Sequence, residues 1–394
     1  MRARWLAASC LVAVTAAAKP RDVAPPAATF DDPCLDAACM HHALDHFTAA
    51  LAAQRKGTAT RALRISYFGD SLVGDDLISH ALRDKLGALV GPGGPGFVFA
   101  APPHPYCQHR AVTRWLGGSW QIHSVSTTVP ADHLLGLGGS AESEGDGVIR
   151  LAPKAPVALV DLHYLAQPRG GTLAVMADGA TVGTVETRGD AKRGAFAQVA
   201  LPDGVKKIEL RASGRVRLFG AALEAARGAV VDNLGIVNAT AKQLAHHILP
   251  EHLRNQLAHR ASDLVIVMLG TNEAEWLAAK GAGMAEHEQV FGELLATIRA
   301  ANPDGSCLVV SPLDQLDWRA EGLPPRTSVP AMVEAQHRAA VANGCAFWNV
   351  YEWMGGKGAS KTWHARGWLI KDYQHPTPQG DERLAEALYA GLVK

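Results

Sequence analysis

The sequence predicts an α/β protein built on a flavodoxin-like, doubly wound parallel sheet of five strands, with an all-β sandwich set into it. Three observations lead there. Short apolar runs bounded by turn residues alternate with amphipathic segments over most of the chain, the signature of buried parallel strands and crossover helices. One central stretch breaks that alternation and becomes a series of short β-rich runs. Residues able to do chemistry fall just past the ends of the apolar runs, where such sheets gather their sites.

The N-terminus comes first. Arg2 and Arg4, the apolar stretch Trp5–Val14 and Ala16-Ala17-Ala18 before Lys19 form the pattern of an export signal over residues 1–18. The apolar stretch is too short to span a bilayer well and no other long one follows. No membrane span is expected, and the mature protein is expected in the periplasm or outside the cell. Residues 19–30, rich in Pro and Ala, read as a linker. Residues 31–58 read as a helix packed on the outside.

The strand candidates of the sheet are Ile65–Phe68, Ala229–Asp232, Leu264–Leu269, Cys307–Val310 and Ala346–Val350. Helical periodicity covers roughly 75–89, 239–259, 284–301, 329–343 and 378–392. Between the first helix and the second strand lie Val157–Leu165, Thr172–Ala177, Thr181–Glu186, Ala195–Leu201, Lys207–Arg211 and Arg215–Gly220. Gly170-Gly171, Asp178-Gly179 and Asp203-Gly204 punctuate them as turns, which is the pattern of a β-sandwich. The expected organisation is therefore 31–104 and 226–394 for the α/β unit and 105–225 for the insert.

The bulk composition excludes little but is consistent. A chain of 394 residues, 48% hydrophobic, can bury one or two substantial cores. Lys+Arg and Asp+Glu both total 38, so no overall basic bias supports nucleic-acid binding. Five cysteines follow the signal. Cys34 and Cys39 are close enough to bridge, Cys307 and Cys345 open successive strands and could meet, and Cys107 would then be left over. Export makes such bonds possible. His41, His42 and His46 beside Cys34 and Cys39 invite a zinc reading. In an exported chain a disulfide with surface histidines is the better account, so neither metal nor cofactor is expected.

Ser71 closes the run Arg64-Ile-Ser-Tyr-Phe-Gly-Asp-Ser71 at a strand-to-helix turn. Such a turn exposes the hydroxyl and aims helix N-terminal amides at any oxyanion nearby. Far along the chain, Asp372-Tyr-Gln-His375 supplies an imidazole base and a carboxylate to orient it. Asn272 ends another apolar run and offers an amide N–H, a type of donor typically worth about 3–4 kcal/mol in a transition state. A nucleophile, base, orienter and oxyanion donor together point to acyl transfer. Taken singly, each is ordinary turn or cap material.

In these blocks the chain resembles the SGNH (GDSL) hydrolase superfamily. Gly69-Asp70-Ser71-Leu72, Gly270-Thr271-Asn272 and Asp372-x-x-His375 stand in that family's order, over about 30–100 and 226–394. The resemblance implies Ser71 as nucleophile, His375 as general base and then acid, and Asp372 as the orienting carboxylate. Asn272 and the Ser71 backbone amide would form part of the oxyanion hole, and Asp70 would brace the nucleophile loop. Where the family's second block ends in glycine, this chain has Asn238, with Gly235 matching the block's earlier glycine. Asparagine keeps the backbone N–H and tolerates left-handed backbone, so the hole is expected to survive with its width in question.

A narrower resemblance rests on Asp75-Asp76-Leu-Ile, Leu82-Arg83 and Gly91-Pro-Gly-Gly-Pro-Gly96-Phe97. It is to exported members that include peptidoglycan O-acetylesterases, which carry a sandwich resembling a carbohydrate-binding module after the first helix. It implies an acetylated polysaccharide as substrate. Trp363 and Trp368, close to His375 in sequence, are the candidates for the substrate cleft, with core packing as the competing account. The resulting expectation is an exported serine O-acetylesterase. An O-acetyltransferase with the same triad and a non-catalytic carbohydrate-binding protein are the alternatives.

Overall fold

The computed structural model describes residues 24–280 and 283–394, so the expected export signal lies outside the described residues. The chain first forms α1 (Asp45–Arg55), β1 (Leu63–Gly69), α2 (Ser71–Gly74) and α3 (Leu77–Val90). Eleven strands follow: β2 (Gly96–Phe99), β3 (Val112–Gly117), β4 (Gln121–Ser124), β5 (Gly139–Ser143), β6 (Val148–Pro153), β7 (Leu159–Ala166), β8 (Thr172–Ala177), β9 (Ala180–Glu186), β10 (Arg193–Ala200), β11 (Ile208–Ser213) and β12 (Val216–Glu224). The α/β pattern resumes with β13 (Ala229–Gly235), α4 (Ala241–His246), α5 (Pro250–Arg260), β14 (Leu264–Met268), α6 (Thr271–Lys280), α7 (Met284–Ala301), β15 (Ser306–Val310) and α8 (Ser328–Ala342). It closes with β16 (Ala346–Trp348), α9 (Val350–Trp353), α10 (Ala359–Ala365) and α11 (Pro378–Leu392).

The five apolar runs become one parallel sheet in the order β13-β1-β14-β15-β16. That is the flavodoxin-like order, whose switch point lies beside the first strand. Alternation along each strand sends side chains to two different cores. Ile65, Tyr67, Leu264, Ile266 and Leu308 pack with Phe47 of α1, Leu82 and Leu86 of α3 and Leu384 and Leu388 of α11. Phe68, Val265, Val267 and Val309 face the other way, onto Leu253 and Leu257 of α5, Phe291 of α7 and Met332 of α8. Burial on both faces is why these strands read as unbroken apolar runs. The Cys307–Cys345 disulfide joins the region where β15 and β16 begin.

The inserted strands form two antiparallel sheets, β10-β7-β12-β5-β4 with β2 on β12, and β3-β6-β11-β8-β9. A third core lies between them, with Ile149, Leu162, Val175, Leu210 and Leu218 all fully buried or nearly so. Antiparallel pairing begins at β2, ahead of residue 105, because Phe97 and Val98 stand opposite Ala222 and Ala221 of β12.

At the seam between the units, Arg260 is buried against two carboxylates. Its Nε and Nη2 donate to Asp232 at 2.8 Å each, and its Nη1 to Glu224. Asp232 also accepts from Ser66 Oγ and the Phe97 backbone N–H, both at 2.8 Å. One residue from each unit is thus held by a shared buried ion pair.

The expected helix over 31–58 is shorter than its pattern. Only Asp45–Arg55 is helical. Pro33, the Cys34–Cys39 disulfide and the bridge of Asp31 to Phe347 hold the preceding segment in an irregular path along the sheet edge.

Candidate active site

The nucleophile turn is built from residues with little choice. A Cβ on Gly69 would lie 2.3 Å from Val73 Cγ2 and 3.0 Å from the Met268 carbonyl, so the tight exit from β1 requires glycine. Asp70, fully buried, then caps α2: its Oδ1 accepts from Leu72 N–H at 3.0 Å. Its Oδ2 accepts from Thr271 N–H at 3.2 Å. One carboxylate therefore ties the serine turn to the turn that carries Asn272. Burial pushes the Asp70 carboxyl above its usual range, against those hydrogen bonds.

Ser71, the first residue of α2, meets the base across a separation of 304 residues. Its Oγ lies 2.8 Å from His375 Nε2, and His375 Nδ1 lies 2.8 Å from Asp372 Oδ2. A carboxylate accepts only, so it places the ring proton on Nδ1 and turns the Nε2 lone pair to the hydroxyl. Asp372 is itself fixed, because its Oδ1 accepts from the backbone N–H groups of Gln374 and His375 at 2.9 and 3.0 Å. Burial raises the Asp372 carboxyl, but the hydrogen bonds from His375 and Gln374 hold it below the usual carboxylate range. The Asp372 hydrogen bond lifts the His375 imidazole above 6.5 against burial, and the Asp70 and Asp75 charges add to it. Tyr373 adopts a left-handed φ of 58° to make this loop.

The three strand ends are in register, with Gly69 opposite both Gly235 and Met268. This puts Ser71, Asn238 and Asn272 on the segments that leave the same edge of the sheet, two of them at helix starts. A Cβ on Gly235 would stand 2.4 Å from Gly74 N, so the approach of β13 to α2 tolerates no side chain. Asn238 takes the left-handed backbone expected of it, φ 65°, in the exposed turn after β13. Among the described residues neither its N–H nor that of Ser71 has a hydrogen-bond partner within the chain. Asn272 donates one amide N–H to the Ala239 carbonyl at 2.9 Å, leaving the second. Three donors are thus available on one edge, the requirement for holding a tetrahedral oxyanion.

Trp363 and Trp368 do not line a cleft. They are 4% and 7% exposed and pack into the core on the α11 side of the sheet. Trp363 donates its indole N–H to the Met354 carbonyl at 3.0 Å. Edge-to-face contacts run from Trp348 through Trp353 and Trp363 to Trp368, the packing that aromatic quadrupoles favour. Trp276, by contrast, is 50% exposed and lies on α6, one helical turn beyond Asn272. It borders a groove of about 470 Å³ with Thr240, Gln243, His247 and Glu273. The spacing of four from Asn272 was visible in the sequence but needed the helix to acquire meaning.

Two supports were not legible at all. Glu273 is buried, with Oε1 accepting from Ala241 N–H at 2.8 Å, and burial pushes its carboxyl up to about 7. Cys107, free and buried, lies against the Asn238 turn: its Sγ is 3.7 Å from the Gly235 carbonyl and 3.5 Å from Val237 N. Cys34, Cys39 and His42 do lie together. The cysteines are joined in a disulfide, which removes the thiolates a metal would take.

Residues 203–383 match the GDSL-like Lipase/Acylhydrolase family. The match contains Asn238, Asn272, Asp372 and His375, while Ser71 lies ahead of the inserted sandwich. A solved peptidoglycan O-acetylesterase superposes with a TM-score of 0.74 at 25% identity, over 87% of this chain and 94% of that one. A salicylyl-acyltransferase from a tetracycline biosynthetic pathway is similar at a TM-score of 0.31 and 16% identity, over 74% of this chain and 95% of that one. A 4-coumarate–CoA ligase of Halorhodospira halophila is 34% identical over 71 residues, 17% of this chain. The chain spans under a fifth of that curated relative, 18% of its length. Family match, near-complete structural likeness with the insert included, and the strand order together place the chain in the SGNH hydrolase superfamily, as a carboxylic ester hydrolase.

Proposed function

We propose that this chain is an exported serine esterase that removes O-acetyl groups from a polysaccharide, peptidoglycan first among them, through an acetyl-enzyme on Ser71. The observation that carries the reading is the unbroken chain of 2.8 Å contacts from Ser71 Oγ through His375 to Asp372. His375 Nε2 takes the hydroxyl proton as Oγ attacks the acetyl carbonyl. The oxyanion forms facing the N–H groups of Ser71 and Asn238 and the free amide N–H of Asn272. His375 then returns the proton to the departing sugar oxygen. Water enters, is deprotonated by the same nitrogen, and releases acetate.

The substrate class rests on the likeness to a peptidoglycan O-acetylesterase along almost the whole chain, sandwich included. Trp276 supports it, offering an aromatic face to a sugar ring beside the oxyanion turn. Export rests on the pattern over residues 1–18 and on two disulfides, Cys34–Cys39 and Cys307–Cys345, which suit an oxidising compartment. Among the described residues no helix is long and apolar enough to cross a membrane.

The test is acetate release from a panel of acetylated glycans, peptidoglycan included, by wild type beside Ser71→Ala. Release by wild type alone, greatest on peptidoglycan, is the expected result. Release from small esters but from no glycan would remove the polysaccharide reading. Transfer of the acetyl group to an added carbohydrate acceptor in preference to water would make the protein a transferase.

A further inference from the structure

We propose that Asp161, His163 and His259 form a binding site for one divalent transition-metal ion, zinc above all, at the seam between the sandwich and the α/β unit. On β7, Val160, Leu162, Tyr164 and Ala166 point into the sandwich core. Asp161 and His163, two apart, therefore share the opposite face, where α5 lies. That helix comes in close: a Cβ on Gly194 of the neighbouring β10 would stand 2.5 Å from Gln256 Nε2. His259, one turn beyond Gln256, brings its Nε2 to 2.8 and 3.0 Å from the two Asp161 oxygens. One ligand atom from each of the three residues lies within 4.8 Å of the other two.

The observation that points to a ligand is the state of His163, which is completely buried. Its Nδ1 lies 2.9 Å from Gln256 Oε1. An amide oxygen only accepts, so the ring proton sits on Nδ1 and Nε2 carries a lone pair. That lone pair has no hydrogen-bond partner among the described residues. A buried acceptor left unpaired is costly, and a cation would satisfy it. An imidazole whose far nitrogen is held by an acceptor is also how metal-binding histidines are oriented. Asp161 is supported in the same way, since Gln198 Nε2 donates to its Oδ2 at 3.1 Å.

The donor set selects the ion. Two imidazoles and a carboxylate suit zinc and its neighbours, whereas calcium and magnesium require oxygen ligands throughout. Tetrahedral zinc sets ligand atoms about 3.3 Å apart, so the His259 and Asp161 atoms separate by a few tenths of an ångström to admit it. Phe196 stacks on the His259 ring at 3.6 Å and meets His163 edge-on at 4.9 Å, forming an apolar wall. His259 is a quarter exposed, which provides the ion's entry and a fourth position for water. The neighbouring Arg260 is neutralised by Asp232 and Glu224. Joining β7 to α5, the ion would pin the sandwich to the catalytic unit.

The experiment strips full-length protein with a chelator and titrates it with Zn²⁺ against a competing chelator, then with Co²⁺ followed by visible absorption. One zinc per chain, a four-coordinate cobalt spectrum and a zinc-dependent rise in Tm are expected. His163→Ala and His259→Gln should lose all three, and Gln256→Ala should weaken zinc binding about 10–100-fold. Should His163→Ala fail to fold, His259→Gln, at the open edge of the cluster, decides the matter. No stoichiometric zinc in wild type, or equal affinity in wild type and His259→Gln, overturns the proposal.

Discussion

Replacing Asn272 with alanine isolates one oxyanion donor. The side chain is half-buried, and one of its two amide hydrogens is committed to the Ala239 carbonyl at 2.9 Å. The other has no hydrogen-bond partner among the described residues, and in the proposed mechanism it joins the backbone N–H groups of Ser71 and Asn238 as an oxyanion donor. The substitution removes one donor of three and leaves the nucleophile, its base and the Asp70 brace to Thr271 N–H intact. Removing such a donor typically costs about 10²–10³ in kcat, or roughly 3–4 kcal/mol, because the bond strengthens only as charge develops on oxygen. The assay is steady-state hydrolysis of a small acetyl ester, with kcat and KM separated. A loss confined to kcat is expected. Combined with Ser71→Ala, the change should add almost nothing, since donors and nucleophile act on one transition state. A rise in KM at unchanged kcat would refute the reasoning, making Asn272 a ground-state binding residue.

Four further outcomes follow from the structure. His375 must be neutral to act as base, and its pKa is raised, so kcat/KM should be present at high pH and fall as pH drops through a single ionisation above 6.5. Asp372→Asn, read in the same pH profile, should cut kcat by about 10⁴-fold through the wrong imidazole tautomer and shift the remaining limb to lower pH. Gly235→Ala drives a methyl into Gly74 N and should displace the nucleophile turn; esterase activity should collapse while circular dichroism stays near wild type. Arg260→Ala strands Asp232 and Glu224 in the seam and should cost about 3–5 kcal/mol in urea unfolding.

How much was legible from the chain depended on whether a residue's meaning was local. The parallel strands were, because burial on both faces leaves runs such as Leu264–Met268 entirely apolar. So was the grouping of Ser71, His375 and Asp372 that the fold joins by 2.8 Å contacts, since a serine, carboxylate and imidazole at element ends keep their chemistry wherever the fold puts them. The strand β5, Gly-Ser-Ala-Glu-Ser, was not. Its buried Glu142 is tolerable only because Arg215 and Arg217 meet it from β12 and its approach, a pairing made at long range. Trp363 and Trp368 show the same limit from the other side. An aromatic near a catalytic histidine in sequence can serve cleft or core, and the decision lay in the four-tryptophan stack with Trp348 and Trp353. The expected helix over 31–58 is confined to Asp45–Arg55 because Pro33, the Cys34–Cys39 disulfide and the Asp31–Phe347 bridge fix the segment before it. Trp276 needed α6 before its spacing from Asn272 could count.

The most direct measurement traps the covalent intermediate. Wild-type protein mixed with an acetyl ester, quenched in acid and digested should yield the peptide containing Ser71 heavier by one acetyl group, with that mass absent from Ser71→Ala. Acetate released at the wild-type rate by purified Ser71→Ala, with no acetylated peptide in either protein, would contradict the account.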